Sequence, residues 1–255
     1  MNLHFELKKG TRKGTMVFLH GNSSSSKVFN ETFSSSIDHT LIRMDLPGHG
    51  GSPKNPQSYA IDTLRTMVID FIIEKVTEPF LLIGNSLGGH LAIEILPELP
   101  QCKGLVIFGT PPLKKPINAE EAFLPCEALN TYFKADYTDD ELDKTMAVAT
   151  YGPAGRELLR DDFIQTDPSF RSIFHHGAMV EGSLHDEVAI IASDSRPVYV
   201  IQGVQDPTVN VNYIRGLQGI TKIFEINKCG HYASLEEPYQ FNSILKKVSS
   251  EVFKA

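Results

Sequence analysis

Short apolar runs alternate along most of the chain with segments whose apolar residues return every three or four positions. Runs at 3–8, 15–19, 40–46, 80–83, 104–109, 197–202 and 221–226 are bounded by glycine, proline or polar clusters and predict strands. The first alternates weakly, whereas 15–19, 80–83 and 104–109 are continuous enough to be buried on both faces. Helical spacing is clearest at 61–76, where Ile61, Leu64, Val68, Phe71 and Ile72 share a face, Asp62 sits in the first turn and Pro79 closes the segment. Further helices are predicted at 27–33, 89–96 and 210–218. A loop at 227–237 then leads to a last helix ending near Glu251. Strands alternating with helices in this way predict an α/β fold, a mostly parallel sheet with helices on both faces.

Between 113 and 186 the pattern changes. No buried strand is evident, and helical stretches rich in aromatics and acids are predicted at 120–133, 138–150 and 161–176. Thr138 followed by Glu141 fits a capping box, and the acidic runs 139–141 and Asp161-Asp162 read as solvated helix starts. The expected organisation is a core formed by 1–112 and 187–255, with a helical cap, 113–186, inserted into it and not folding as an independent domain.

Composition narrows the partners. The chain has 255 residues, 41% of them hydrophobic, and a net charge of -7. It carries no basic footprint for nucleic acid or an anionic membrane. No apolar run approaches the roughly twenty residues that cross a bilayer, and the opening MNLHFELKKGTRKG lacks the apolar region of a signal peptide. Three cysteines (Cys102, Cys126 and Cys229) without paired spacing suit a reducing cytoplasm, the expected location.

The chemistry centres on 80–92, FLLIGNSLGGHLA. A buried strand that turns within a few residues into a helix, with serine at the apex and glycine two positions to either side, is a nucleophile elbow pattern. An ordinary strand–turn–helix could match so short a pattern, so the remainder of the chain decides. Ser86 needs a base and the base an orienting acid. His231 follows the last predicted strand, and Asp206 follows the strand at 197–202; both lie at the sheet edge where Ser86 emerges. Asp206 could otherwise serve as a turn-forming Asp-Pro. Oxyanion donors would be the amides of Leu87 and Asn22, the latter in the His20-Gly21-Asn22 loop that opens the serine run 23–26. His20 and His49 belong to glycine-rich turns and read as loop-shaping, Asp45 as structural, and His90 as packing or facing a neighbouring loop. Phe123, Leu124, Tyr132, Phe133, Phe163 and Phe174 are candidates for an acyl pocket; equally, they could form the cap's own small core. His175, His176, His185 and Asp186 lack a recognised zinc spacing, so neither a metal nor a cofactor is expected.

With these pieces placed, the chain resembles the α/β-hydrolase superfamily over almost its full length, in VFLHGNSSSS, MDLPGHGGS, GNSLGGHLA, GVQDP and CGHYASLEEP, all in the family's order. The resemblance implies the α/β-hydrolase fold and a serine hydrolase with Ser86, Asp206 and His231 as triad beneath a cap. The superfamily's dehalogenases and epoxide hydrolases use aspartate as nucleophile, against which Ser86 argues. Within the superfamily, HGNSSS, SLGGH and residues 109–112 are similar to N-acyl-homoserine lactonases, which implies metal-free hydrolysis of a lactone. Asp206 stands where such a lactonase can carry glutamate, and Asn85 replaces an aromatic before the nucleophile. The expected partner is a small-molecule ester or lactone. A thioesterase, an amidase, a cofactor-free perhydrolase or a ligand-binding receptor on the same scaffold stays open.

Overall fold

The computed structural model describes residues 2–254. The chain opens with strands β1 (Phe5–Lys8) and β2 (Arg12–Leu19), helix α1 (Asn30–Phe33) and strand β3 (His39–Met44). Helix α2 (Ile61–Lys75), strand β4 (Phe80–Asn85), helix α3 (Leu87–Ile95) and strand β5 (Cys102–Phe108) follow. A helical segment comes next: α4 (Ala119–Ala122), 3-10 turns at Glu127–Phe133, α5 (Asp139–Ala149), α6 (Arg156–Gln165), α7 (Pro168–His175) with a π-helical turn His176–Val180, and α8 (Glu187–Ser193). The sheet resumes with β6 (Val198–Gly203), α9 (Val211–Gly216) and β7 (Lys222–Ile226), and the chain closes with α10 (Ala233–Glu236) and α11 (Pro238–Val252).

The strands form one sheet in the order β1-β3-β2-β4-β5-β6-β7, parallel except for β1, which runs antiparallel to β3. Because β2 lies between β3 and β4, the chain first winds outward and then crosses back over β2. That reversal opens a crevice at the C-terminal ends of β2 and β4, the place where doubly wound sheets hold ligands. The continuous apolar strands are explained by two cores, one on each face. Along β4, Phe80 and Leu82 pack into one core with α2 and α3, while Leu81 and Ile83 pack into the other with α11. Among the described residues no helix is long and apolar enough to cross a membrane.

Several boundaries differ from expectation. Strand β2 starts at Arg12, three residues early, because exposed Arg12 and Lys13 extend it past a register shift without adding to the apolar run. The helix expected at 120–133 is broken. Pro125 offers no N–H and disfavours helical backbone in Leu124, and Phe123 instead bridges to Val209. The stretch at 161–176 is two helices: Asp167 caps α7, its side chain accepting from Ser169 N, and Pro168 takes the first helical position. Asp161-Asp162 therefore lie inside α6, not at a helix start, and Asp162 is buried. The Thr138–Glu141 capping box is present as expected. The loop at 227–237 contains α10.

Candidate active site

Ser86 sits between β4 and α3 with φ 51° and ψ -118°, a strained conformation for a residue with a Cβ. Its surroundings hold it there. Its N–H donates to Phe108 O at 2.9 Å, and its carbonyl accepts from Gly89 N, His90 N and Thr110 Oγ1 at 2.8–3.1 Å. At Gly84 any Cβ would collide with the Gly88 carbonyl and Gly89 Cα, so strand and helix can meet this closely only through glycine. The side chain thus stands clear of the sheet at the N-terminal end of α3.

His231, on the loop after β7, places Nδ1 2.9 Å from Asp206 Oδ2. Asp206, just beyond β6, has its other oxygen occupied by Thr208 N, Thr208 Oγ1 and Val209 N at 2.8–3.1 Å. Thr208 Oγ1 also lies 3.2 Å from His231 Nδ1. Burial alone would raise the Asp206 pKa. The His231 charge and the hydrogen bonds from His231 and Thr208 outweigh it and hold the carboxyl below its ordinary range. Burial likewise disfavours a charged His231, yet the Asp206 carboxylate, its hydrogen bond and the Glu236 charge raise the imidazole above 6.5. Glu236 also braces this loop, accepting from Gly230 N and Tyr232 N at 2.9 Å and from Tyr151 N in the helical segment at 2.7 Å.

The loop after β2 closes the other side. A Cβ on Gly21 would stand 3.2 Å from Ser86 Cβ, so the chain passes directly beside the serine. Two neutral histidines shape it. His20 donates from Nδ1 to Gly21 O and accepts from Leu46 N at Nε2, while His49 donates to Pro47 O and accepts from Ser23 N. Burial lowers both pKa values, that of His49 to about 3, which keeps the rings uncharged. Asp45 is structural, accepting from Ser26 N, Gly51 N and the His4 ring. The amides of Asn22 and Leu87 have no backbone acceptor among the described residues.

Ser86, Leu87, Asn22 and His231 border one cavity of about 380 Å³. Phe123, Leu124, Tyr132, Phe133 and Phe174 line it, together with Leu113, Leu129, Ala178 and Leu184. Phe163 does not. It is fully buried behind Tyr132, 5.3 Å between ring centroids, and under the Arg171 guanidinium at 4.2 Å. That placement is a correction: Phe163 belongs to the packing beneath the wall.

Sequence reasoning did not foresee what three polar groups contact. Arg171 is fully buried without a carboxylate partner, and its guanidinium donates to Lys134 O, Phe163 O, Ala135 O and Ser23 Oγ. Asp162 accepts from Ser25 Oγ at 2.7 Å. His90 lines the cavity and holds the buried Glu187 at 2.9 Å. Its place in the first turn of the helix that follows the serine marks His90 as near the site; nothing local marks Glu187, 97 residues on. The residues considered for a metal are engaged separately: His176 with Glu181 at 3.3 Å, His185 with Glu94 at 2.8 Å, and Asp186 capping α8.

A family model described as "Alpha/beta hydrolase family" matches residues 16–244. The chain belongs to that family. Among curated members, a pimeloyl-[acyl-carrier protein] methyl ester esterase of Xylella fastidiosa is 33% identical over 98 residues, 38% of this chain and 36% of that protein. A 2-succinyl-6-hydroxy-2,4-cyclohexadiene-1-carboxylate synthase of Escherichia coli is 34% identical over 110 residues, 41% of this chain and 40% of that protein. The chain therefore spans well under half the length of these relatives. Among solved structures, a serine-to-glycine mutant of the N-acyl homoserine lactonase AidH complexed with N-hexanoyl homoserine lactone superposes with a TM-score of 0.88 at 22% identity, covering 100% of this chain and 99% of that one. An esterase from Exiguobacterium antarcticum gives 0.78 at 14% identity, covering 97% and 95%. At such identities these hydrolases share the fold.

Proposed function

We propose that the protein is a serine hydrolase that cleaves a small carboxylic ester or lactone through an acyl-enzyme. Ser86 attacks the carbonyl carbon while His231 takes its proton. Asp206 orients the imidazole and stabilises its cation. The Leu87 and Asn22 amides receive the developing oxyanion, each such donor being worth about 10²–10³ in rate. His231 then returns the proton to the leaving alcohol, and water reverses the sequence to free the acid. Segment 113–186 acts as the cap whose apolar residues hold the acyl group.

One observation carries this reading. His231 and Ser86 border the same largely apolar cavity, with the imidazole tethered on its far nitrogen to a buried carboxylate. A lactone substrate, and an N-acyl homoserine lactone among lactones, draws support from likeness along the whole chain to the lactonase structure and from an apolar wall suited to an acyl chain.

The test is Ser86→Ala against wild type. Turnover of p-nitrophenyl butyrate should fall at least about 10³-fold, and a fluorophosphonate should label Ser86 in the wild type only, read by mass spectrometry. Retained turnover in Ser86→Ala would overturn the mechanism. Absence of any adduct on the wild-type serine would favour a binding protein on this scaffold.

A further inference from the structure

His90 lies one turn along α3 from Ser86. Its N–H donates to Ser86 O at 3.0 Å, which places it in the first turn of the helix that the serine precedes. Ring atom Nδ1 is 2.9 Å from both oxygens of Glu187, a carboxylate with no solvent exposure whose Oε2 also accepts from Leu113 N at 2.7 Å. A carboxylate accepts only, so Nδ1 carries a proton, and in the neutral ring Nε2 is then the nitrogen that keeps its lone pair. Nε2 makes no hydrogen bond within the described residues, and it is not among the polar atoms sealed from solvent. The ring borders the cavity beside Leu113, Phe123 and Leu184, so Nε2 opens onto it. Anchoring Glu187 accounts for Nδ1 alone. It leaves a hydrogen-bond acceptor facing an apolar chamber, one helical turn from the proposed nucleophile.

We propose that His90 determines specificity: its Nε2 accepts a hydrogen bond from an N–H or O–H that the substrate carries a few bonds from the scissile carbonyl. Among such groups the N–H of an N-acylated amine fits best, since it leaves the acyl chain to the surrounding leucine and phenylalanine side chains. Glu187 acts as a positioning residue that fixes the tautomer. The two carboxylates of this region are kept apart in role. Glu94, one turn further along α3, is held by Arg65 at 2.5 Å and by His185, leaving Glu187 to His90 and Leu113. The inference rests on the hydrolase reading above and deepens it.

The experiment compares two substrates of equal length. One is N-hexanoyl homoserine lactone. The other is the α-(2-oxoheptyl) γ-lactone, the ketone in which a methylene replaces the amide N–H. The quantity read is the ratio of their kcat/KM values. Wild type should favour the amide by about tenfold or more. In His90→Leu the ratio should collapse towards one, and His90→Gln, whose amide oxygen can accept, should restore part of it. Glu187→Gln supplies a second readout. Its carboxamide can donate to Nδ1, which moves the ring proton to Nε2. Preference should then pass from the amide to an α-alkoxy lactone that offers an acceptor. A ratio near one in wild type, or equal loss on both substrates in His90→Leu, would overturn the proposal and leave His90 as an anchor for Glu187. If wild type turns over neither substrate and its serine resists fluorophosphonate, the hydrolase reading fails separately. Calorimetric binding of the same two ligands to Ser86→Ala, with and without His90→Leu, then decides: selective loss for the amide supports the subsite, and equal binding or none overturns it.

Discussion

In the proposed mechanism the base that takes the Ser86 proton must be neutral before the step and cationic after it, so the charge around His231 would set the pH at which the site works. Asp206 and Glu236 raise the imidazole above 6.5 against the opposing effect of burial. The neutral, competent form therefore accumulates only as pH rises through a value above 6.5, and kcat/KM for a simple ester should show its rising limb there. Stability runs the other way. With a folded pKa above the unfolded one, the His231 contribution is full below 6.5 and is lost as pH rises through the folded value. Asp206→Asn removes the raising charge, so the limb should move to lower pH while the plateau kcat falls by about 10⁴-fold through loss of the correct tautomer. A limb that stays in place would deny the Asp206–His231 pairing. The pairing of these two residues is legible in the sequence because the acyl transfer proposed here restricts residue type, chain order and position at strand ends all at once. Phe163 is not legible in that way. An aromatic that lines a cavity and one that packs behind it obey the same apolar pattern, and only the Tyr132 and Arg171 contacts separate them.

At the scale of elements, the serine loop and helix α6 meet through Asp162. Its carboxyl accepts from Ser25 Oγ, while its second oxygen is buried without a partner. Burial dominates, and despite the Ser25 hydrogen bond and the Lys27 charge the pKa is pushed up to about 6. The folded state thus binds a proton that the unfolded chain releases near 3.8. The stabilisation this provides is full below 3.8 and is lost as pH rises to about 6. At 1.36 kcal/mol per unit the loss is of order 3 kcal/mol. Asp162→Asn should flatten that pH dependence and make the protein more stable than wild type at pH 8, measured by urea unfolding at pH 4, 6 and 8. An unchanged slope would mean that Asp162 ionises normally in the folded chain. Its role escapes sequence reading because an acidic pair in a polar helix looks solvated, and Ser25 lies 137 residues away. Long periodic elements such as α2 and α11 are far easier to place. The breaks at Pro125 and Pro168 mark where a local proline overrides an otherwise helical stretch.

For the whole molecule, the question is whether segment 113–186 can melt apart from the sheet. Its helices do not close a core of their own. Leu142, Met146, Leu159 and Phe163 join the core that contains Leu81, Ile83 and Phe241, while Phe170, Phe174, Ala178 and Leu184 join the one that contains Leu82, Leu91 and Ile107. Arg171 adds a polar tie, reaching from α7 to Ser23 beside the serine and to two carbonyls ahead of α5. Exposing the segment would therefore open both faces of the sheet, and calorimetry should show one transition with a van't Hoff enthalpy close to the calorimetric one. Arg171→Met keeps much of the packing but leaves buried carbonyls without donors, a loss of about 1–3 kcal/mol. With a shift of about 2–4 °C per kcal/mol for a chain of this size, the whole transition should move down by several degrees as a single peak. Early melting of a separate, smaller peak would instead mean that the helical segment is a unit in its own right.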